Sequence, residues 1–444
     1  MREALVRDTL RVSVLTVLSK IAGALKTVVI ARYFGAAATL DTYLLAFLPV
    51  SFIIDVISGS MMNALLPAFI ALRESRQRPG ALELYGSVQL RLAGILIFIG
   101  VVLAAAAGPI LHILATGFDE EKIRLTRELM FIMLPILPLS ALNVSWRVLL
   151  NAEGRFSIAA ISPALVPVAT VIALISLTQR YGIFSLAIGT VVGAVAESIL
   201  LAHSVWKSGA AMFAGFRTRS TDTPRVFAQY LPTATANLVM ASSAVVDQSM
   251  AAMLGSGSVA ILNYGTRLVT VVLAIGPAAL GTVILPWLSR LHARGDGAQI
   301  RKTLIRYILI SLAVTIPLTA ILMVWSKGLI EILFQRGAFT ISDTGSVARV
   351  QEFALLRVPL SVLLALLLPT VASLQRNSLL LVVAVFSVIA NVLLNLAFMQ
   401  TLGVAGVALS TAIVHLLAVL FLVDRLLRSG GKLRAGEPRH QESA

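Results

Sequence analysis

Apolar runs separated by short charged or Gly/Pro-containing breaks recur along the whole chain. A helix needs about 20 apolar residues to cross a bilayer. The runs reach that length and predict twelve membrane helices, near 10–33, 39–70, 87–115, 127–150, 156–179, 182–206, 227–254, 258–288, 304–326, 350–374, 378–401 and 403–424. The second is long for one crossing, so its ends leave the hydrocarbon or the helix tilts. No segment alternates with the period of a strand. The expected fold class is all-α: a polytopic membrane protein with about 12 transmembrane helices.

Sliding the sequence on itself exposes a repeat at about half its length. LLPAFIALRE (Leu65–Glu74) resembles ILPWLSRLHA (Ile284–Ala293), which sets Pro67 on Pro286. Gly35 falls on Gly255, and GPILHILATGF (Gly108–Phe118) on GLIEILFQRGAF (Gly328–Phe339). YGIFSLAIGT (Tyr181–Thr190) falls on LGVAGVALST (Leu402–Thr411). The offset stays between 219 and 221 at all four places. Two pseudo-symmetric six-helix bundles are expected, 1–207 and 227–424, with a linker at 208–226 and a basic tail at 425–444. Six spans is an even number, so both halves enter from one side as parallel repeats, an arrangement that places substrate between the halves of a transporter.

Composition sharpens the class. Of 444 residues, 58% are hydrophobic and only 13% charged, about half the share usual in soluble domains, which excludes a cytosolic enzyme or a disordered regulator. The net charge of +15 would suggest nucleic acid in a soluble chain. Here the basic residues lie mostly between the spans, and they read as topology. With the N-terminus inside, the tails and even-numbered breaks carry 21 Lys/Arg against 8 on the opposite side, so both termini are expected in the cytoplasm of a bacterial inner-membrane protein. With no cysteine and five scattered histidines, no metal site is expected. Without a Walker-type loop or a Ser/His/Asp constellation, neither ATP hydrolysis nor catalysis is expected. No cofactor is anticipated, and the drive is expected to come from Na⁺, H⁺ or the membrane potential.

Ionisable groups inside spans are costly and normally face a cavity or a partner. Lys20 and Lys26 share a broad face of the first span, about 9 Å apart along it. Arg267 sits near mid-depth in the eighth. Three cations would suit an anion, and a diphosphate is the natural candidate, gripped by Arg and steadied by Lys point charges. The plainer reading pairs the lysines with Asp55 in span 2 or Asp247 in span 7. Asp55, Asp247, Glu197 and Asp41 are the candidate counter-ions or coupling groups. Asp41, at the mouth of span 2, reads as a solvated surface charge, while Arg147 and Arg357 lie close enough to span ends to snorkel.

SKIAGALKTVVIARYFGAAATLDTYLLAF (Ser19–Phe47), NAEGRFSIAAISPAL (Asn151–Leu165), GSVAILNYGTRLVTVVLAIGPAALGTVILPWLSR (Gly257–Arg290) and LFQRGAFTISDT (Leu333–Thr344) resemble, in order, the MurJ/MviN family of the MOP (multidrug/oligosaccharidyl-lipid/polysaccharide) superfamily. The resemblance implies a V-shaped pair of bundles that flips an undecaprenyl-diphosphate-linked glycan, lipid II or a related oligosaccharide, from the inner to the outer leaflet. The family's three cavity arginines fall on Lys20, Lys26 and Arg267, and its acid near the end of span 2 falls on Asp41. The implied partners are the lipid-linked glycan, membrane lipids and the enzymes of cell-wall or polysaccharide synthesis, with no nucleic acid, and the chain is expected to act as a monomer. Departures are visible too. The family's span-2 Arg pair falls on Ile53 and Ile54, and the Asp after its second span-1 arginine is Thr27. Span 10 lacks the usual lysine, and a basic tail follows span 12 where the family carries two further spans.

Two alternatives share this architecture. One is a Wzx-like O-antigen or exopolysaccharide flippase, which suits twelve spans. The other is a MATE-like ion-coupled drug antiporter, which would call for an acidic cavity instead of Lys20, Lys26 and Arg267.

Overall fold

A computed structural model describes residues 2–74, 78–208, 223–273, 297–373 and 377–429. Most of the expected linker, the end of the eighth span and most of the basic tail lie outside the described residues.

Helices dominate the described residues: α1 (Arg2–Phe34), α2 (Ala38–Glu74), α3 (Arg78–Ala105), α4 (Ala107–Leu114), α5 (Glu120–Met133), α6 (Ile136–Ala152), α7 (Phe156–Ile161), α8 (Leu165–Tyr181), α9 (Phe184–Lys207) and α10 (Thr223–Ala252). α11 is described over Ser258–Leu273. There follow α12 (Gly297–Val324), α13 (Ser326–Phe334), α14 (Ile341–Leu355), α15 (Arg357–Ser373), α16 (Asn377–Leu402) and α17 (Val404–Ser429). Among the described residues, ten stretches are long and apolar enough to cross a membrane, and they match ten of the twelve expected spans. The other two correspond to α10, a more polar 30-residue helix, and α11.

The span ends shift for physical reasons. The third expected span breaks at Ala106 into α3 and the short α4. The fourth begins earlier than expected, at Glu120, because Asp119 caps α5 by accepting the Lys122 N–H at 2.9 Å. The tenth likewise begins at Ile341, where Thr340 and Asp343 form a reciprocal capping box.

The repeat is carried by the elements themselves. Shifted by about 220 residues, α3, α4, α5, α6 and α9 fall on α12, α13, α14, α15 and α17. Neighbours repeat as well: α3 packs on α6 and α6 on α9, just as α12 packs on α15 and α15 on α17. The turn glycines match too, Gly35 with Gly255 and Gly182 with Gly403, all at positive φ, where L side chains are strained. The two halves differ at α7–α8, where a 3₁₀ turn at Ser162–Ala164 interrupts what α16 runs through without a break.

Two compact units emerge, Met1–Ile261 with Glu331–Thr344, and Leu262–Ile330 with Gly345–Ala444. α10 lies along α2 and groups with the first unit. The first unit closes one core where α2, α3, α6 and α9 meet, around Phe69, Tyr85, Trp146, Leu149 and Leu201. The second closes its own from α12, α15, α16 and α17, around Leu304, Leu363, Leu367, Val383 and Leu422. The outward faces are apolar instead of charged, as at Phe98, Ile113, Val324 and Leu420. Such surface suits lipid, against which apolar burial supplies no drive, so helices associate through close packing and polar contacts. α8 and α9 show it: a Cβ at Gly193 would collide with the backbone of Val166.

Candidate functional site

The feature with the most complete geometry is a clasp at one end of the first unit, built from four turns. The turn after α1 carries Gly35, and the break before α5 carries Gly117. The turn before α11 carries Gly257, and the one before α14 carries Gly337. Backbone meets backbone at each. A Cβ on Gly35 would land on the Ala338 carbonyl, and one on Gly257 would land on the Ala36 carbonyl. A Cβ on Gly117 would strike the Ala252 carbonyl, and one on Gly337 the Arg32 carbonyl. These last two contacts are images of each other under the repeat, since Gly117 and Arg32 shift onto Gly337 and Ala252. The Ala338 N–H also donates to the Arg32 carbonyl at 2.8 Å. One repeat-related pair, Gly117 and Gly337, thus makes equivalent close contacts at this end.

Asp41 pins the clasp. Its carboxylate is fully buried and accepts the N–H groups of Gly257 at 2.5 Å and Ala260 at 2.7 Å. Those are among the donors a helix start leaves without an intrahelical partner, so Asp41 on α2 caps α11 from another part of the chain. The helix dipole adds to the attraction. The expectation of a solvated surface charge at Asp41 is therefore corrected. Being close to one mouth of a span does not expose a side chain when a second turn folds over it. The Gly-Ser-Gly-Ser break at 255–258 was the sequence signal for a helix start needing a cap.

Lys122 ties the same turns from the other side. Its ammonium donates to Ser256 Oγ at 3.1 Å, pairs with Asp119 at 3.4 Å and lies over the Phe118 ring. The Lys122 backbone N–H and ammonium together hold the Asp119 carboxyl below the usual carboxylate range.

The other singled-out residues fall in three places. Lys20 is exposed on α1 and lies close enough to act on the charge of Asp55, which is exposed on α2. Lys26 is half-buried on α1 and Asp247 half-buried on α10. Arg267 is half-buried on α11 and belongs to the second unit, whereas the two lysines belong to the first.

Glu197 is buried in the bundle, 3.5 Å from the Arg147 guanidinium and 3.1 Å from the Ser162 hydroxyl, which donates to it. Next to it, Ser198 donates to Asn143 at 2.8 Å. Arg147 was expected to snorkel outward. It turns inward because an ion pair between α6 and α9 satisfies a charge that apolar surroundings would leave costly. The 3₁₀ turn at Ser162–Ala164 is what brings the hydroxyl to that carboxylate. The chain's spacing gave no sign of this pairing, since Arg147 and Glu197 sit on helices separated by α7 and α8. His415, in the second unit, bonds the Thr411 carbonyl of its own helix at 2.7 Å. Among the described residues no cluster of His, Asp and Glu could hold a metal ion.

Repeated helices and charges inside apolar spans define a polytopic helical membrane protein. The sequence profile of the lipid II flippase MurJ family matches residues 30–438. The chain is 26% identical to the lipid II flippase MurJ of Burkholderia cenocepacia over 435 residues, covering 96% of this chain and 84% of the relative. Its fold is similar to a lipid II flippase MurJ in an inward closed conformation, with a TM-score of 0.80, 22% identity and coverage of 95% of this chain and 89% of the other. It is equally similar to an inward-facing multidrug resistance MATE family transporter of the MOP superfamily, with a TM-score of 0.81, 14% identity and coverage of 97% and 100%. The chain belongs to the lipid II flippase MurJ family. It is a multi-pass protein of the bacterial inner membrane and a transporter, not an enzyme.

Proposed function

We propose that this chain carries lipid II, an undecaprenyl-diphosphate-linked glycan, from the inner to the outer leaflet by alternating access, for peptidoglycan synthesis. The observation that carries the reading is the family match across nearly the whole chain. It is supported by the cations Lys20, Lys26 and Arg267 at the positions where the family's cavity arginines fall. Their charge suits a diphosphate, and it argues against a drug-cation antiporter despite the shared fold. Two of the three being lysine keeps the charge while giving up the bidentate fork of arginine.

The excess of Lys/Arg in the tails and even-numbered breaks supports both termini in the cytoplasm. On that orientation the clasped end is periplasmic, and release to the outer leaflet requires the Asp41 cap and the glycine contacts to part. The drive we assign is the membrane potential, worth about 2.3 kcal/mol per charge per 100 mV, which returns an empty cationic site toward the cytoplasm. The chain acts as a monomer that hands its cargo to cell-wall synthesis enzymes.

Complementation tests the assignment. In a bacterium depleted of its own lipid II flippase, the wild-type chain is expected to restore growth and periplasmic exposure of lipid II. Lys20→Ala, Lys26→Ala and Arg267→Ala, at matched membrane levels, are expected to fail. A well-expressed wild type that does not rescue would move the assignment to another polyprenyl-linked glycan.

A further inference from the structure

Between α3 and the first turns of α10, away from the clasp, lies an open groove of about 590 Å³ lined by Arg91, Gly94, Ile95, Phe98, Pro224 and Phe227. Ser87, Arg91, Gly94 and Phe98 fall at helical spacing and form one face of α3. The Ser87 hydroxyl accepts from Thr223 at 3.1 Å and so fastens the start of α10 along that face. The opposite face, with Leu92 and Leu96, is buried in the bundle. The groove therefore opens outward, toward lipid. Apart from the Arg91 guanidinium its walls are apolar side chains, and Phe98 remains 68% exposed.

Arg91 stands at a boundary. α3 is 28 residues long, about 42 Å, so it exceeds a hydrocarbon core of about 30 Å. Its first half carries Glu83, Tyr85, Ser87, Gln89 and Arg91, whereas Leu92–Ala107 carries no polar side chain. The hydrocarbon therefore begins near Arg91, with the guanidinium at headgroup level and Gly94, Ile95, Phe98 and Phe227 below it.

We infer that this groove is a binding site for an anionic membrane phospholipid. Arg91 pairs with the phosphate, and an acyl chain lies over Gly94 against Phe98 and Phe227. A guanidinium matches phosphate oxygens bidentately and is weakly hydrated, so it gives up water readily for a lipid headgroup. Gly94 leaves the floor open, since a Cβ there would meet nothing within 4 Å. The site is separate from Lys20, Lys26 and Arg267, and it stands or falls independently of the transported substrate.

The test counts lipids retained by the purified full chain in native mass spectrometry, titrated with phosphatidylglycerol or phosphatidylcholine. The wild type is expected to hold one phosphatidylglycerol more tightly than phosphatidylcholine. A basic residue at a membrane surface is worth about 1 kcal/mol toward anionic lipid, so Arg91→Gln is expected to weaken phosphatidylglycerol about fivefold and abolish the preference. Arg91→Lys is expected to keep most of it. Gly94→Leu, whose Cβ would meet nothing within 4 Å and whose side chain favours the helix, is expected to retain the fold while both lipids lose the site. Arg180→Gln, at the far end of α8, is expected to change nothing. Wild-type retention by Arg91→Gln and Gly94→Leu would overturn the proposal. So would an equal loss in Arg180→Gln, or full displacement of phosphatidylglycerol by stoichiometric undecaprenyl phosphate, which would make the groove a site for the cargo's tail.

Discussion

A carboxylate sealed from solvent survives only with donors aimed at it, and Asp41 has two from the start of α11. Hydrogen bonds to a charged group are worth about 1.5–3 kcal/mol each. Asp41→Asn, which replaces one acceptor by a donor facing an N–H, is expected to weaken the closed clasp by about 2–3 kcal/mol, some 50-fold in the closed-to-open ratio. The chain has no native cysteine, so a pair placed at Ala36 and Ser256 can report that ratio by crosslinking. Faster crosslinking in the wild type than in Asp41→Asn is predicted, and equal rates would remove Asp41 from the clasp. Asp119 offers a pH readout. Its carboxyl lies below the ordinary carboxylate range when folded, so the cap it gives α5 is fully present above the unfolded pKa and is lost as pH falls through the folded one. Acidification toward that lower value is expected to raise amide exchange in the first turn of α5, and Asp119→Asn is expected to flatten the dependence. At this scale the sequence was partly legible. It marked Asp41 and Glu197 as acids worth explaining, but burial depends on what folds over a residue, and neither the turn at 253–257 nor the partner Arg147 is near in sequence.

Helices were the most legible elements, because hydrophobic length alone nearly determines a membrane span. What shifted their ends was capping: Asp119 before α5, and Thr340 with Asp343 before α14, begin helices earlier than the apolar pattern does. The matched glycines were legible as a repeat but not as a clasp, since the sequence shows which glycines recur and not which carbonyl each one meets. Gly108 and Gly328 make the distinction, for they match in sequence, yet a Cβ on either would meet nothing within 4 Å. Gly117→Ala, whose methyl would strike the Ala252 carbonyl, is therefore expected to hold the clasp ajar and cut transport at least tenfold. Gly108→Ala is expected to transport normally. Lipid II exposure in cells expressing each variant separates the two, and equal transport would show that the close approach at Gly117 does not matter.

For the molecule as a whole, the duplicated architecture follows from a constant sequence offset, and the matched helices and neighbours carry it through. The unit boundary was less legible. α10, placed in the second half by sequence, packs on α2 and groups with the first unit. The central claim is that the chain moves a diphosphate-linked glycan by means of Lys20, Lys26 and Arg267. The most direct test is the purified chain in sealed proteoliposomes with labelled lipid II in the inner leaflet and an impermeant lipid II-modifying enzyme outside. The wild type is predicted to expose the inner pool, faster with an imposed membrane potential. The Lys20→Ala/Lys26→Ala/Arg267→Ala variant is predicted to fall to the rate of empty vesicles while keeping its melting temperature. Wild-type exposure no faster than empty vesicles, or a triple variant as fast as wild type, would contradict the account.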